Sequence, residues 1–149
     1  MAMAETDAEK VLVFVADGRA YGCPLDAIRE IVPFHAATRL AGAPDYVVGL
    51  INLRGRLVTV VDLAAQLGSR AAGTTRAAGG SIILLEVASR MVGVLVEEVR
   101  DVRPLSAEAV EPIQRDEGGS GMMLRSLARL SDGVVVVLDP DAIVAHVLQ

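Results

Sequence analysis

The residues of this chain that could do covalent chemistry are few, and each lacks the company its chemistry requires. A serine nucleophile needs a general base within hydrogen-bond reach. Gly118-Gly119-Ser120-Gly121 has the look of a nucleophile elbow, but the fifth position is Met122 and the segment does not follow a strand. Glu97 and Glu98 are neighbours on a predicted strand, which sends them to opposite faces and rules out an acid/base dyad. His35 and His146 have no carboxylate at metal-ligand spacing. Gly79-Gly80-Ser81 precedes a strand rather than a helix, so it lacks the dipole that a phosphate-binding loop uses. The single cysteine, Cys23, sits beside Pro24 with no nearby cation to lower its pKa, and reads as an inert packing residue. One cysteine also excludes an internal disulfide and a multi-cysteine metal site. Catalysis, a metal and a cofactor are therefore not expected.

The other candidate chemistry is recognition. In Gly49–Leu63, two apolar runs, Leu50–Leu53 and Leu57–Val61, flank Arg54-Gly55-Arg56. β-Branched Ile51, Val58, Thr59, Val60 and Val61 favour a pleated, buried backbone, and Gly55 supplies the positive φ of a tight turn. A guanidinium held on a rigid hairpin suits a partner's carboxylate or backbone carbonyls. Two solvated arginines that keep an apolar hairpin in solution would have the same sequence.

The elements that must position these residues are short strands. Val11–Ala16 is a continuous apolar run, expected of a strand buried on both faces. Asp17-Gly18 then signals a type I′ hairpin into Arg19–Cys23. Leu25, Ile28, Ile31 and Val32 fall at helical spacing, which predicts a short amphipathic helix closed by Pro33. Phe34–Leu40 is expected to be another strand. Beyond the central hairpin, Ala64–Leu67 predicts a helical turn and 69–80 a glycine-rich loop. Ser81–Val87 and Met91–Val96 form a hairpin through Ala88-Ser89-Arg90, and Glu97–Arg103 alternates until Pro104 breaks it. Ser106 is placed to cap a turn through Ala109, and 114–120 is a second polar loop. Met122–Leu130 and Val134–Leu138 flank Asp132-Gly133. Asp139-Pro140 opens a helix with Ile143, Val144 and Val147 on one face. Nine or ten short strands with only small helices predict an all-β barrel architecture.

Composition bounds the rest. At 149 residues the chain is expected to be one domain, residues 10–149, behind a solvated tail at 1–9. The 52% hydrophobic and 3% aromatic content specifies a core of aliphatic residues. A net charge of −5 with scattered basic residues argues against a nucleic-acid partner. No window approaches 18 uncharged apolar residues, so membrane insertion is not expected. The acidic start, MAMAETDAEK, is unlike a signal peptide, which makes a cytoplasmic location the expectation.

Gly49-Leu50-Ile51-Asn52-Leu53-Arg54-Gly55 followed by Val58–Leu63 resembles the signature hairpin of the CheW-type coupling proteins of bacterial chemosensory systems. The resemblance runs from about Val11 to about Val147. It takes in Tyr21-Gly22, Glu30-Ile31, Pro44 ahead of Gly49, the stretch Val92–Val99, and the closing hairpin, Leu138-Asp139 and short helix. Thr59, Glu97 and Ser126 depart from the family's usual proline, aspartate and glycine.

The resemblance implies two five-stranded SH3-like β-barrels with a hydrophobic groove between them. It implies a non-catalytic adaptor that bridges the regulatory domain of a CheA-type histidine kinase to the cytoplasmic tip of a methyl-accepting chemoreceptor. Partners would recruit it to membrane receptor arrays. By the same resemblance Arg54 faces the receptor, Gly49 and Gly55 shape its hairpin, and Ile28, Ile82, Val99 and Val102 lie around partner surfaces. A small β-barrel that binds a ligand or catalyses in its groove is the alternative, and the missing acid/base or metal constellation counts against it.

Overall fold

The computed structural model describes residues 9–34, 36–67, 80–113 and 123–148. Among these residues eleven strands lie in two sheets. The strands are β1 (Glu9–Ala16), β2 (Arg19–Pro24), β3 (Ile28–Pro33), β4 (Val47–Leu53), β5 (Arg56–Asp62), β6 (Ser81–Val87), β7 (Arg90–Val96), β8 (Glu98–Leu105), β9 (Val110–Pro112), β10 (Leu124–Leu130) and β11 (Gly133–Leu138). Helix α1 spans Leu63–Gln66 and α2 spans Pro140–Val147. The first sheet has the order β8-β1-β2-β11-β10-β9 and the second β3-β6-β7-β5-β4. Each sheet has two edge strands that do not pair with each other, so neither closes into a barrel by hydrogen bonds. The architecture is mostly β, as expected, with one sheet of six strands rather than five because the three-residue β9 extends it.

Local chemistry explains the hairpins. Asp17-Gly18, Arg54-Gly55 and Ala88-Ser89 each take positive φ at both central positions, which matches the twist of the flanking strands. Each bridges directly paired residues: Ala16 with Arg19, Leu53 with Arg56, and Val87 with Arg90. At α1, the buried Asp62 carboxylate accepts from the Ala64 and Ala65 amides at 3.1 and 3.4 Å, an N-cap that starts the helix. Asp139 does the same for α2 through the Ala142 amide, with Pro140 in the first turn.

The core has three parts. Val11 and Val13 of β1 join Leu105, Ala128, Val135 and Val137 inside the first sheet. The alternate residues Leu12, Phe14 and Ala16 point the other way, into a cluster shared with Ile83, Leu85, Val92, Val94, Ile143 and Val144 between the sheets. Val48, Val58, Val60, Ile82, Leu84 and Leu95 fill the second sheet. β1 and β6 are therefore buried on both faces, as continuous apolar runs require.

Several expectations are corrected. Ile28–Pro33 is strand β3, not the second half of an amphipathic helix; only Leu25–Ala27 turns, as a single 3-10 turn. Pairing of Ile28, Ile31 and Val32 with Leu85, Ile83 and Ile82 of β6 outweighs a helical spacing only eight residues long. In Phe34–Leu40 the described residues form no strand beyond an isolated bridge from Thr38 to Leu50. Pro104 lies within β8, where an edge strand has a side that needs no ladder donor. Ser106 precedes a 3-10 turn, Ala107–Ala109, without a side-chain cap. Glu9, expected in the tail, opens β1. Ser126 is buried on β10, where the pairing with β11 shifts register. His35, Ser120, Met122, the tail at 1–8 and the loops at 69–79 and 114–120 lie outside the described residues.

Candidate interaction surface around the Arg54 hairpin

The β4–β5 hairpin is held at three levels. Its turn is fixed by the Gly55 amide, which donates to Asn52 Oδ1 at 2.8 Å. Its base is fixed by Thr38, whose amide donates to the Leu50 carbonyl and whose carbonyl accepts from the Leu50 amide, both at 2.8 Å. Gly49 makes that strap possible. It has φ +147°, and a Cβ there would lie 2.3 Å from the Thr38 carbonyl oxygen. Gly55, by contrast, has open space where a Cβ would go, and needs only its φ of +85°.

At the tip, the Arg54 side chain is 70% exposed yet anchored. Its Nη1 donates to Glu30 Oε2 at 3.3 Å, and its Nη2 pairs with Glu30 Oε1. Glu30 belongs to β3 and Arg54 follows β4, the two edge strands of the second sheet. This two-point ion pair thus spans a seam that no backbone ladder closes. Hydrogen bonding to Arg54 holds the Glu30 carboxyl below its ordinary pKa, and Glu30 raises that of the guanidinium in return. Arg56 turns away from the tip, to the Ser89 carbonyl at 3.2 Å and to Glu86 at 3.6 Å. Leu57 next to it is 66% exposed, an aliphatic side chain left in solvent beside the turn.

The other residues expected around partner surfaces divide by burial. Ile28 is half-buried against the cluster between the sheets. Ile82 is fully buried inside the second sheet and offers nothing to a partner, because its neighbours Ile83 and Leu85, not Ile82, face the first sheet. Val99 is half-buried, and Val102 is 46% exposed. Both stand on β8, opposite Phe14 and Leu12 of β1, and so extend the apolar face between the sheets to its rim. The structure brings Arg54, Gly55 and Gly49 together on one hairpin and leaves Val99 and Val102 on the other sheet. Glu30 and Leu57 belong with Arg54 and had no role assigned from the sequence. No local signal in the sequence pairs Glu30 with Arg54, since the segment has a helical spacing and the register of β3 on β6 shifts between Ile28 and Glu30.

One void among the described residues lies in the cluster between the sheets. Phe14, Cys23, Ile83, Leu85, Val94, Leu138 and Ile143 surround this void of about 10 Å³, the volume of a single water at most. A ligand does not fit there. The candidates for covalent chemistry have structural duties. Glu97 accepts from the Gly18 amide at 3.0 Å and so caps the β1–β2 turn. His146 lies against Tyr46, ring centroids 5.5 Å apart. Burial pushes the Cys23 thiol up to about 12. Among the described residues no group of three or more His, Cys, Asp or Glu side chains could hold a metal, and no helix is long and apolar enough to cross a membrane.

The family model described as CheW-like domain matches residues 10–148. Chemotaxis protein CheW of Klebsiella aerogenes is 32% identical over 108 residues, which cover 72% of this chain and 64% of that protein. Its counterpart in Rhizobium meliloti is 37% identical over 103 residues, 69% of this chain and 65% of that one. The match thus spans just under two thirds of either relative's length. The Bacillus subtilis protein of the same name is 25% identical over 139 residues, 86% of its length. Among solved structures, the scaffolding protein TtCheW from Thermoanaerobacter tengcongensis superposes with a TM-score of 0.77 at 24% identity and 89% coverage of each chain, a likeness of fold.

Proposed function

The chain belongs to the CheW-like domain family, and from that premise we propose that it is a non-catalytic scaffold that couples chemoreceptors to a CheA-type histidine kinase. The observation that carries the proposal is the Arg54 hairpin. An exposed guanidinium is held in one pose by Glu30, with the exposed Leu57 beside it. A pre-positioned charge next to an apolar side chain is suited to the tip of a helical hairpin, which presents carboxylates and carbonyls around an apolar stripe. The kinase regulatory domain would take a separate surface that includes the β8 rim, Val99 and Val102, since a bridge must hold both partners at once. Ile28 borders the same apolar face. Such a protein works in the cytoplasm and reaches the membrane only through its receptor.

The test is reconstitution from purified parts. The protein is titrated with a receptor cytoplasmic fragment, with the kinase regulatory domain, and with both. Binding of each alone and of both together is expected. Failure to bind either, or mutual exclusion of the two, would overturn the bridging role.

A further inference from the structure

At the open end of the first sheet lies a cavity of about 290 Å³ that the proposed scaffold role does not use. Its apolar wall is made by Val13, Leu130 and Val135, residues from three different strands. Its rim carries two arginines, Arg100 and Arg103, and two aspartates, Asp101 and Asp132, and these charges are unequally committed. Arg103 of β8 is held by Asp132 of the β10–β11 turn through two bonds of 3.2 and 3.3 Å. Arg100, inside the Val99–Val102 stretch where the register of the same edge strand shifts, touches only Glu98 among the described residues, through Nε at 3.8 Å, too long for a charge-assisted hydrogen bond. Among the described residues its two terminal nitrogens have no hydrogen-bond partner, although its charge acts on the nearby Asp132.

A planar cation with two free donors above an aliphatic wall selects one chemistry, an aliphatic group that carries a carboxylate. The volume sits at the lower end of small-molecule sites, which fits a ligand the size of a single amino-acid side chain. We propose that this cavity binds short branched aliphatic carboxylates, with Arg100 as the carboxylate ligand and Val13, Leu130 and Val135 as the contact for the alkyl part. The same chemistry is offered by a free acid and by the C-terminal leucine of a peptide. Asp101 and Asp132 both act against the ligand as negative charges at the rim, and Asp132 also occupies Arg103.

The experiment is a titration of isotopically labelled full-length protein with 4-methylpentanoate, followed through backbone amide resonances. Saturable shifts centred on Val13, Arg100–Arg103 and Gly133–Val135 are expected. Arg100→Gln should weaken binding about tenfold. Asp132→Asn should strengthen it, because it frees the Arg103 guanidinium and removes a like charge. Non-specific association would not move in opposite directions in these two variants, whose melting temperatures are checked alongside. An acetylated peptide ending in leucine, compared with its C-terminal amide, tells a chain terminus from a free acid as the source. No saturable shift up to tens of millimolar, equal binding of 4-methylpentanol, or an unchanged affinity in Arg100→Gln would each overturn the assignment. None of these results bears on the coupling of kinase and receptor.

Discussion

Arg54 and Glu30 face each other across the open seam of the second sheet and join its two edge strands with a two-point ion pair. In the first sheet Arg103 of edge strand β8 is likewise held at two points, by Asp132 in the turn between the inner strands β10 and β11. In the second sheet the ion pair also sets the pose of the side chain proposed to meet a receptor.

Reversing that charge should separate binding from folding. Arg54→Glu faces one carboxylate with another and removes the proposed anchor. Receptor-fragment affinity is expected to fall at least tenfold, while affinity for the kinase regulatory domain stays unchanged. Glu30→Gln keeps the guanidinium but loosens it, so its loss should be smaller. Parallel titrations against both partners decide the matter. Equal loss of both bindings with a lowered melting temperature would make Arg54 structural only.

The two hairpin glycines should respond differently to alanine. At Gly55 a methyl group meets nothing, so only the left-handed backbone is penalised, by about 1 kcal/mol. At Gly49 the methyl would overlap the Thr38 carbonyl, and the strap over β4 must move. Gly49→Ala should cost well above 1 kcal/mol. Chemical denaturation of both variants gives the comparison, and equal losses would refute the role of the Thr38 contact.

Aspartate at two aliphatic positions should distinguish interior from rim. Ile82→Asp buries an unpaired carboxylate inside the second sheet and should cost several kcal/mol, enough to unfold the protein. Val102→Asp, on a half-exposed side chain, should leave folding nearly intact and weaken kinase binding. A folded Ile82→Asp variant, seen by circular dichroism, would contradict the packing described here.

Cys23 should behave as a reporter of global unfolding. Its thiol is 2% exposed and its pKa is pushed up to about 12 by burial, so the folded state keeps the proton where an unfolded thiol, near 9, has lost it. The stabilisation this represents is complete below about pH 9 and is lost as pH rises from 9 towards 12. The wild type should therefore lose melting temperature between pH 8 and 10.5 faster than Cys23→Ala. A thiol reagent should modify the native protein only at the rate of opening. Immediate modification at neutral pH would refute the burial.

Local sequence determined the hairpins. Asp17-Gly18 and Arg54-Gly55 have the chemistry that two-residue turns demand, and the strands on either side follow from β-branched, apolar runs. The double-sided burial of β1 was legible in its unbroken apolar run, and the start of α2 in Asp139-Pro140. The family likeness was legible as well, since the Asn52–Gly55 turn and its flanks stand in one contiguous stretch. Everything decided by contacts between distant segments was not. β2 pairs in parallel with β11, and β5 with β7, so the first sheet is assembled from both ends of the chain and the second from its middle. Leu25–Val32 carries a helical spacing that its pairing with β6 overrides. Ile82 and Ile83 are adjacent and equally apolar, yet one fills the second sheet and the other the space between the sheets. Alternation tells that a strand has two faces, but which partner covers each face, and which carboxylate meets Arg54, depends on chain segments that only the folded structure brings together.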